Sequence, residues 1–188
     1  ANNTSPEPIL LHRTLGDLAS AGVKVVAIET SSHGLDQKRA DGVKFVAGAF
    51  TNLTRDHLDY HGTIEAYFNA KARLFGEVLG AGALAVLNRD DARFEALRTM
   101  CVARRIAVLG FGYHAEADYR IESVTPHAHG LDADIVLHGK KTALSVPLYG
   151  AFQLSNMLAA MGLLRAAGLT EEALVPWLPK LAGVPGRL

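Results

Sequence analysis

The chain has 188 residues, 49% of them hydrophobic, and its 19 basic and 19 acidic side chains leave a formal net charge of zero. That length suits one domain with a sizeable core, and the balanced charge argues against a general nucleic-acid binder, which needs a basic face to displace counterions. The single Cys101 allows no internal disulfide and no cysteine zinc cage; with no signal-peptide pattern and no bilayer-length apolar run, a cytoplasmic setting without membrane contact is expected.

Residues 1–8, ANNTSPEP, read as a polar loop entering a helix, with Ser5 as N-cap and Pro6 at the first helical position. The helix runs through Ile9, Leu10, Leu15 and Leu18 and stops at Ala21-Gly22. Val25, Val26, Ala27 and Ile28 form a β-branched run with little alternation, the pattern of a parallel strand covered on both faces. Glu29 is the first acid after that run, at the carboxyl end where open α/β sheets bind ligands. Phe45–Phe50 reads as a second strand that empties into the polar loop Thr51–Gly62.

A helix from Thr63 follows, then a strand over Ala83–Leu87, a short helix over Ala92–Met100, and a strand over Ile106–Leu109 stopped by Gly110 and Gly112. Strands alternating with helices predict an α/β fold with a mainly parallel sheet. From Asp118 the texture changes: Tyr119–Val124, Ala133–His138 and Ala143–Leu148 are short and β-rich, predicting an antiparallel meander over 118–149. GAFQLSNMLAAMGLLRAAG is a helix ending at Gly168, with Phe152, Leu158 and Leu163 assigned to its core side. Thr170 caps a last helix whose first turn holds Glu171 and Glu172, and Pro176 and Pro179 break it up.

The densest chemistry lies in TNLTRDHLDYHGTIEAYFNAKARLF, residues 51–75. In the helix from Thr63 the apolar stripe is Ile64, Phe68, Phe75 and Val78, and Lys71 falls in the middle of it. An amine among apolar neighbours loses hydration, so its pKa falls and a reactive neutral fraction appears; alternatively, Lys71 snorkels its head out of the core edge. His57 and His61 stand four apart beside Asp56 and Asp59. A zinc hydrolase fits poorly, because Leu58 occupies the place of the glutamate that should follow the first histidine. Magnesium suits the loop better, with Glu29 and His57 reaching one ion and phosphate oxygens completing its shell; otherwise both residues simply line a polar sheet edge.

Ser31, Ser32 and His33 lack the Gly-x-Ser-x-Gly elbow, so hydrolase chemistry is not expected. A Walker phosphate loop is absent, and Gly139-Lys140 reads as a hairpin turn.

Three stretches resemble one family. ETSSHGLDQKRADGVKF, AFTNLTRDHLDYHGTIEAYFNAKARLF and VPLYGAFQLSNMLAA are similar to the central domain of Mur ligases, most closely the MurE type, UDP-N-acetylmuramoyl-tripeptide synthetase. The resemblance covers the chain nearly end to end. It implies a P-loop-NTPase-like sheet and an ATP-dependent amide ligase of peptidoglycan synthesis. Such an enzyme adds a diamino acid, here expected to be meso-diaminopimelate rather than lysine, to UDP-N-acetylmuramoyl-L-alanyl-D-glutamate through an acyl phosphate.

By the same resemblance Thr4, Ser5, Ser31, Gln37 and Arg39 would bind the muramoyl substrate, and Asn156 and Arg187 the ATP. Glu29 and His57 would be magnesium ligands, and Lys71 the carbamylated lysine that holds a second magnesium. Thr4-Ser5 replaces the family's usual Thr-Thr, and Gln153 its usual Asn. The Walker loop of the family lies upstream of residue 1, and its UDP-binding and amino-acid-binding domains flank the central one. The chain is therefore expected to be a truncated central domain, inactive alone. A folylpolyglutamate synthetase-like ligase, or a module that only binds the muramoyl dipeptide, are the rival expectations.

Overall fold

A computed structural model describes residues 6–54 and 56–181. Helix α1 (Pro8–Ser20) starts with Pro8 in its first turn and Glu7 as N-cap. The start lies two residues later than expected from Pro6, and Ser5, expected as the cap, lies outside the described residues. Pro8 serves there because a first-turn residue has no intrahelical use for an N–H. The helix ends at Gly22, whose φ of 81° suits glycine.

The strand expected over Val25–Ile28 does not form. Residues 23–31 join no ladder, and Val25 and Val26 are 55% and 43% exposed. A parallel strand needs a neighbour about 4.8 Å away. A cleft of about 970 Å³ instead separates this segment from β1 (Ala47–Phe50). Between them in sequence the short helix α2 (Ser32–Asp36) carries an N-cap, Ser31 Oγ accepting from the Gly34 N–H at 3.1 Å.

After β1 come the single turn α3 (Leu58–His61), then α4 (Ile64–Arg73), whose N-cap Thr63 accepts from the Ala66 N–H as its sequence position predicts. A wider π-type turn, Leu74–Val78, continues α4. Strand β2 (Leu84–Asn88), helix α5 (Phe94–Ala103) and strand β3 (Ala107–Gly112) follow. The expected stop at Gly110 does not occur. Gly110 stays in the strand with its N–H bonded to Asp118 Oδ2 at 2.7 Å.

The meander is present as β4 (Tyr119–His127), β5 (Gly130–Leu137) and β6 (Lys140–Val146), with longer strands than the sequence suggested. The β5–β6 turn centres on His138 and Gly139, both with positive φ, rather than on Gly139-Lys140.

The six strands form one sheet in chain order, parallel from β1 to β4 and antiparallel from β4 to β6. Parallel β2 is covered on both faces, so Ala85, Val86 and Leu87 are all fully buried. Val86 lies in the core that Leu154 and Leu158 of helix α6 (Phe152–Ala166) make with Ile121 and Ile135 of the meander. Ala85 and Leu87 face the core made by Phe68, Phe75 and Leu97 from α4, the π-type turn and α5. Phe152, expected in the core, is 57% exposed because it stands in the first turn of α6, with its ring against Gly150. Thr170 caps the short helix α7 (Glu171–Leu174), and a 3₁₀ segment, Val175–Lys180, follows. No helix among the described residues is long and apolar enough to cross a membrane.

Candidate functional site

The segments that leave the sheet beside the cleft carry the candidate residues. Lys71 is half-buried on α4, with its Nζ 5.0 Å from the centroid of the Tyr67 ring one turn earlier. Burial lowers its pKa, against the pull of the Asp56 and Glu29 charges in the opposite direction. Lys71 and Glu29 line the same cleft. The apolar stripe of α4 is wider than the sequence suggested: Tyr67, Ala70 and Ala72 are buried with Phe68. Lys71 therefore sits at the edge of a continuous apolar face.

A wall of rings connects Lys71 to the substrate candidates. Tyr67 stacks on His61 at 5.2 Å between centroids, and His33 lies 4.1 Å from Tyr60, 5.0 Å from His57 and 5.3 Å from His61. His61 Nε2 meets the hydroxyl of Ser32 at 3.0 Å, and Ser32 is the one fully buried polar side chain among the described residues. Burial, and then the His33 charge, push the His61 pKa down.

Tyr60 donates to Asp36 Oδ2 at 2.9 Å and accepts from Gln37 Nε2 at 3.2 Å. Gln37 Oε1 in turn accepts from Arg39 at 2.6 Å, and Arg39 also pairs with Glu7 at 3.2 Å. Arg73 ties α2 to α4 by donating to the Leu35 carbonyl and pairing with Asp41 and Glu77.

Of the residues expected from sequence, Gln37, Arg39, His57 and Lys71 are thus joined through the rings and hydrogen bonds, with Ser31 at the cap of α2 and Glu29 on the cleft wall with Lys71. Asn156 is not part of this group. It is exposed on α6, across the sheet from α4, with its amide on Gln153 at 3.3 Å. Thr4, Ser5 and Arg187 lie outside the described residues. Sequence reasoning missed His33, Tyr60 and Tyr67 as parts of the wall. The spacing of Tyr67 four residues before Lys71 was the available signal.

Among the described residues no three His, Cys, Asp or Glu side chains converge as a metal cage. The donor set still fits magnesium: a carboxylate and an imidazole suffice when waters and phosphate oxygens supply the remaining ligands. A protonated Lys71 would repel the ion, and burial works against that charge by lowering the Lys71 pKa.

The pattern that describes the Mur ligase middle domain matches residues 1–164. A Mesorhizobium japonicum protein named UDP-N-acetylmuramoyl-L-alanyl-D-glutamate–2,6-diaminopimelate ligase is 43% identical over 185 residues, which are 98% of this chain and 38% of that protein. A Caulobacter vibrioides protein of the same name is also 43% identical, with the same coverage. The chain thus spans well under half the length of these curated relatives. A solved structure of a ligase of that name superposes with a TM-score of 0.88 at 36% identity, over 97% of this chain and 37% of that one. MurF from Acinetobacter baumannii shares the fold, with a TM-score of 0.70 at 17% identity, over 80% of this chain and 32% of that one. With the middle-domain pattern spanning most of its length, this chain belongs to the Mur ligase family.

Proposed function

We propose that this chain is the central domain of an ATP-dependent ligase that adds 2,6-diaminopimelate to UDP-N-acetylmuramoyl-L-alanyl-D-glutamate. The 43% identity to relatives bearing that activity in their names supports the reading. The observation that carries it is the half-buried Lys71 amine on the cleft wall beside Glu29, linked through rings to His57 and the Ser31–Arg39 segment.

The depressed pKa of Lys71 gives its neutral amine a role. The nitrogen bonds to the carbon of carbon dioxide, a proton leaves to solvent, and a carbamate with two oxygens extends from the arm. Glu29, on the same cleft wall as Lys71, and His57, whose ring lies 5.8 Å from that of Tyr67, would hold magnesium with that carbamate. Magnesium, when bound, would neutralise the charge where two anions have to meet. Arg39, oriented by Gln37 and Glu7, offers a planar fork to a substrate carboxylate. Ser31 holds the turn of α2 from which that fork is presented. In the whole reaction the D-glutamate carboxylate takes the γ-phosphoryl group of ATP and ADP leaves; the diamino acid's amine then displaces phosphate.

The cleft between residues 24–30 and β1 supports a central domain completed by the rest of the protein. Its walls include Val25, Val46, Phe75 and Leu163, a setting for one more buried strand. We assign that strand, and the Walker loop for ATP, to sequence outside these 188 residues. We likewise assign the partner UDP-binding and amino-acid-binding domains to that flanking sequence, and the use of ATP and a UDP-linked substrate supports a cytoplasmic setting.

The test is phosphate release by the whole protein supplied with ATP, magnesium, the muramoyl dipeptide and either diaminopimelate or lysine. Release that requires diaminopimelate, is lost in Lys71→Ala, and is absent from the 188-residue chain alone is the expected result. Release with lysine only would overturn the choice of amino acid, and full activity of Lys71→Ala the role of Lys71.

A further inference from the structure

The parallel ladder between β1 and β2 ends at the pair Phe50 and Leu87. Beyond it, two side chains from the end of β2 make the next hydrogen bonds to the departing chain. Asn88 Nδ2 donates to the Thr51 carbonyl at 2.7 Å, and Asp91 Oδ2 accepts from the Leu53 N–H at 3.0 Å. Neither side chain is loose. Asn88 Oδ1 accepts from the Asp90 N–H at 2.9 Å, and Asp91 Oδ1 accepts from the Arg93 N–H at 2.8 Å.

The same turn reaches the far end of the loop. Arg93 pairs with Glu65 in the first turn of α4, and its guanidinium lies 4.7 Å from the Phe68 ring centroid. Residues 88–93 therefore hold both ends of the stretch from Thr51 to Glu65. His57 sits inside that stretch with a φ of 53°, a left-handed conformation that a residue with a Cβ adopts only when its surroundings impose it. Its own N–H is held locally by Asp56 Oδ1 at 2.8 Å. What imposes the path on either side is the clamp from β2.

We propose that Asn88 and Asp91 are positioning residues that set His57, and through Arg93 the start of the Lys71 helix, for metal binding. The proposal rests on the reading of His57 and Lys71 given above. It makes the end of β2 part of the site through backbone contacts to the loop that carries His57.

The experiment uses the whole protein carrying Asp91→Asn or Asn88→Asp, each of which keeps side-chain shape and removes one hydrogen bond by setting donor against donor or acceptor against acceptor. His57→Ala tests the underlying reading. Asp118→Asn, which disturbs the equivalent bond to Gly110 on β3, is the control for lost stability alone. Manganese binding by electron paramagnetic resonance, amide exchange over residues 51–57 and melting are measured, with the magnesium dependence of phosphate release.

Outer positioning groups of metal sites typically change affinity tenfold or more. Both clamp variants are expected to weaken manganese binding about tenfold and to speed exchange at Leu53–His57, with KM for the muramoyl dipeptide within about twofold. Asp118→Asn should lower melting and leave metal affinity alone. Wild-type affinity and exchange in both clamp variants, while His57→Ala loses metal, overturns the proposal. Wild-type affinity in His57→Ala overturns the reading of the site beneath it.

Discussion

Lys71 illustrates how one residue can work against the fold that carries it. A base whose pKa is lowered in the folded state binds fewer protons there than when unfolded, so stability rises with pH between its folded value and the ordinary 10.5. At neutral pH the folded state therefore carries a penalty at this position. Lys71→Met keeps the length and apolar stem without that penalty. In buffer purged of carbon dioxide it is expected to raise the melting midpoint by about 2 °C at pH 7, with the advantage shrinking toward pH 10.5. Calorimetry at several pH values checks this, and a Met variant that melts lower at pH 7 would remove the buried-amine argument.

The position of Lys71 on an apolar stripe was legible from sequence because helical spacing is strict. The ring wall of His33, Tyr60, His61 and Tyr67 was not, because it joins segments up to 34 residues apart through side-chain stacking, which periodicity does not record.

At the scale of elements, packing between α6 and β2 is set by a glycine. A Cβ on Gly162 would lie 2.8 Å from Val86 Cγ1 and 3.1 Å from Val86 Cγ2, and Val86 is fully buried. Helix and strand approach this closely only because the side chain is missing. Gly162→Ala gains helix propensity, worth about 1 kcal/mol, and loses about 1–3 kcal/mol to overpacking. The net expectation is a loss of about 1 kcal/mol in urea unfolding, recovered in the double variant with Val86→Ala to the extent that the clash was its cause. Wild-type stability of Gly162→Ala would show that the helix shifts freely.

The parallel strands β2 and β3 and the meander were legible because buried β-branched runs and glycine-marked turns are local signals. Val25–Ile28 carried the same signal and failed, since a strand is defined by a neighbour and here the neighbouring place is a cleft. Gly110 and Gly112 misled in the opposite direction. Gly110 stays in β3 with its N–H on Asp118, and at Gly112 the Asp90 carboxylate packs where a Cβ would stand.

For the molecule as a whole the cleft dominates. Val25, Val26, Val46 and Leu164 are between 37% and 64% exposed around it, and apolar side chains grouped in the open can mark a contact surface. The 188-residue chain by itself is expected to self-associate at micromolar concentration, and Val25→Thr with Val46→Thr to weaken that association several-fold. Sedimentation velocity checks it; a strictly monomeric chain at high concentration would argue that the cleft closes without outside help. The parallel sheet with an attached meander was legible at this scale, whereas the cleft was not: Val25–Ile28 has the local pattern of a strand, and only the fold shows that it joins no ladder.

The strands stand side by side in the order in which they are synthesised. Each ladder from β1 to β6 joins sequence neighbours, so loop closure is inexpensive in entropy and no pairing waits for a distant segment. A growing chain can thus assemble this sheet progressively behind the ribosome. The non-local event left is the return of helix α6 to the face of β2, where Gly162 meets Val86, so that face of the sheet consolidates only once residue 162 has been made.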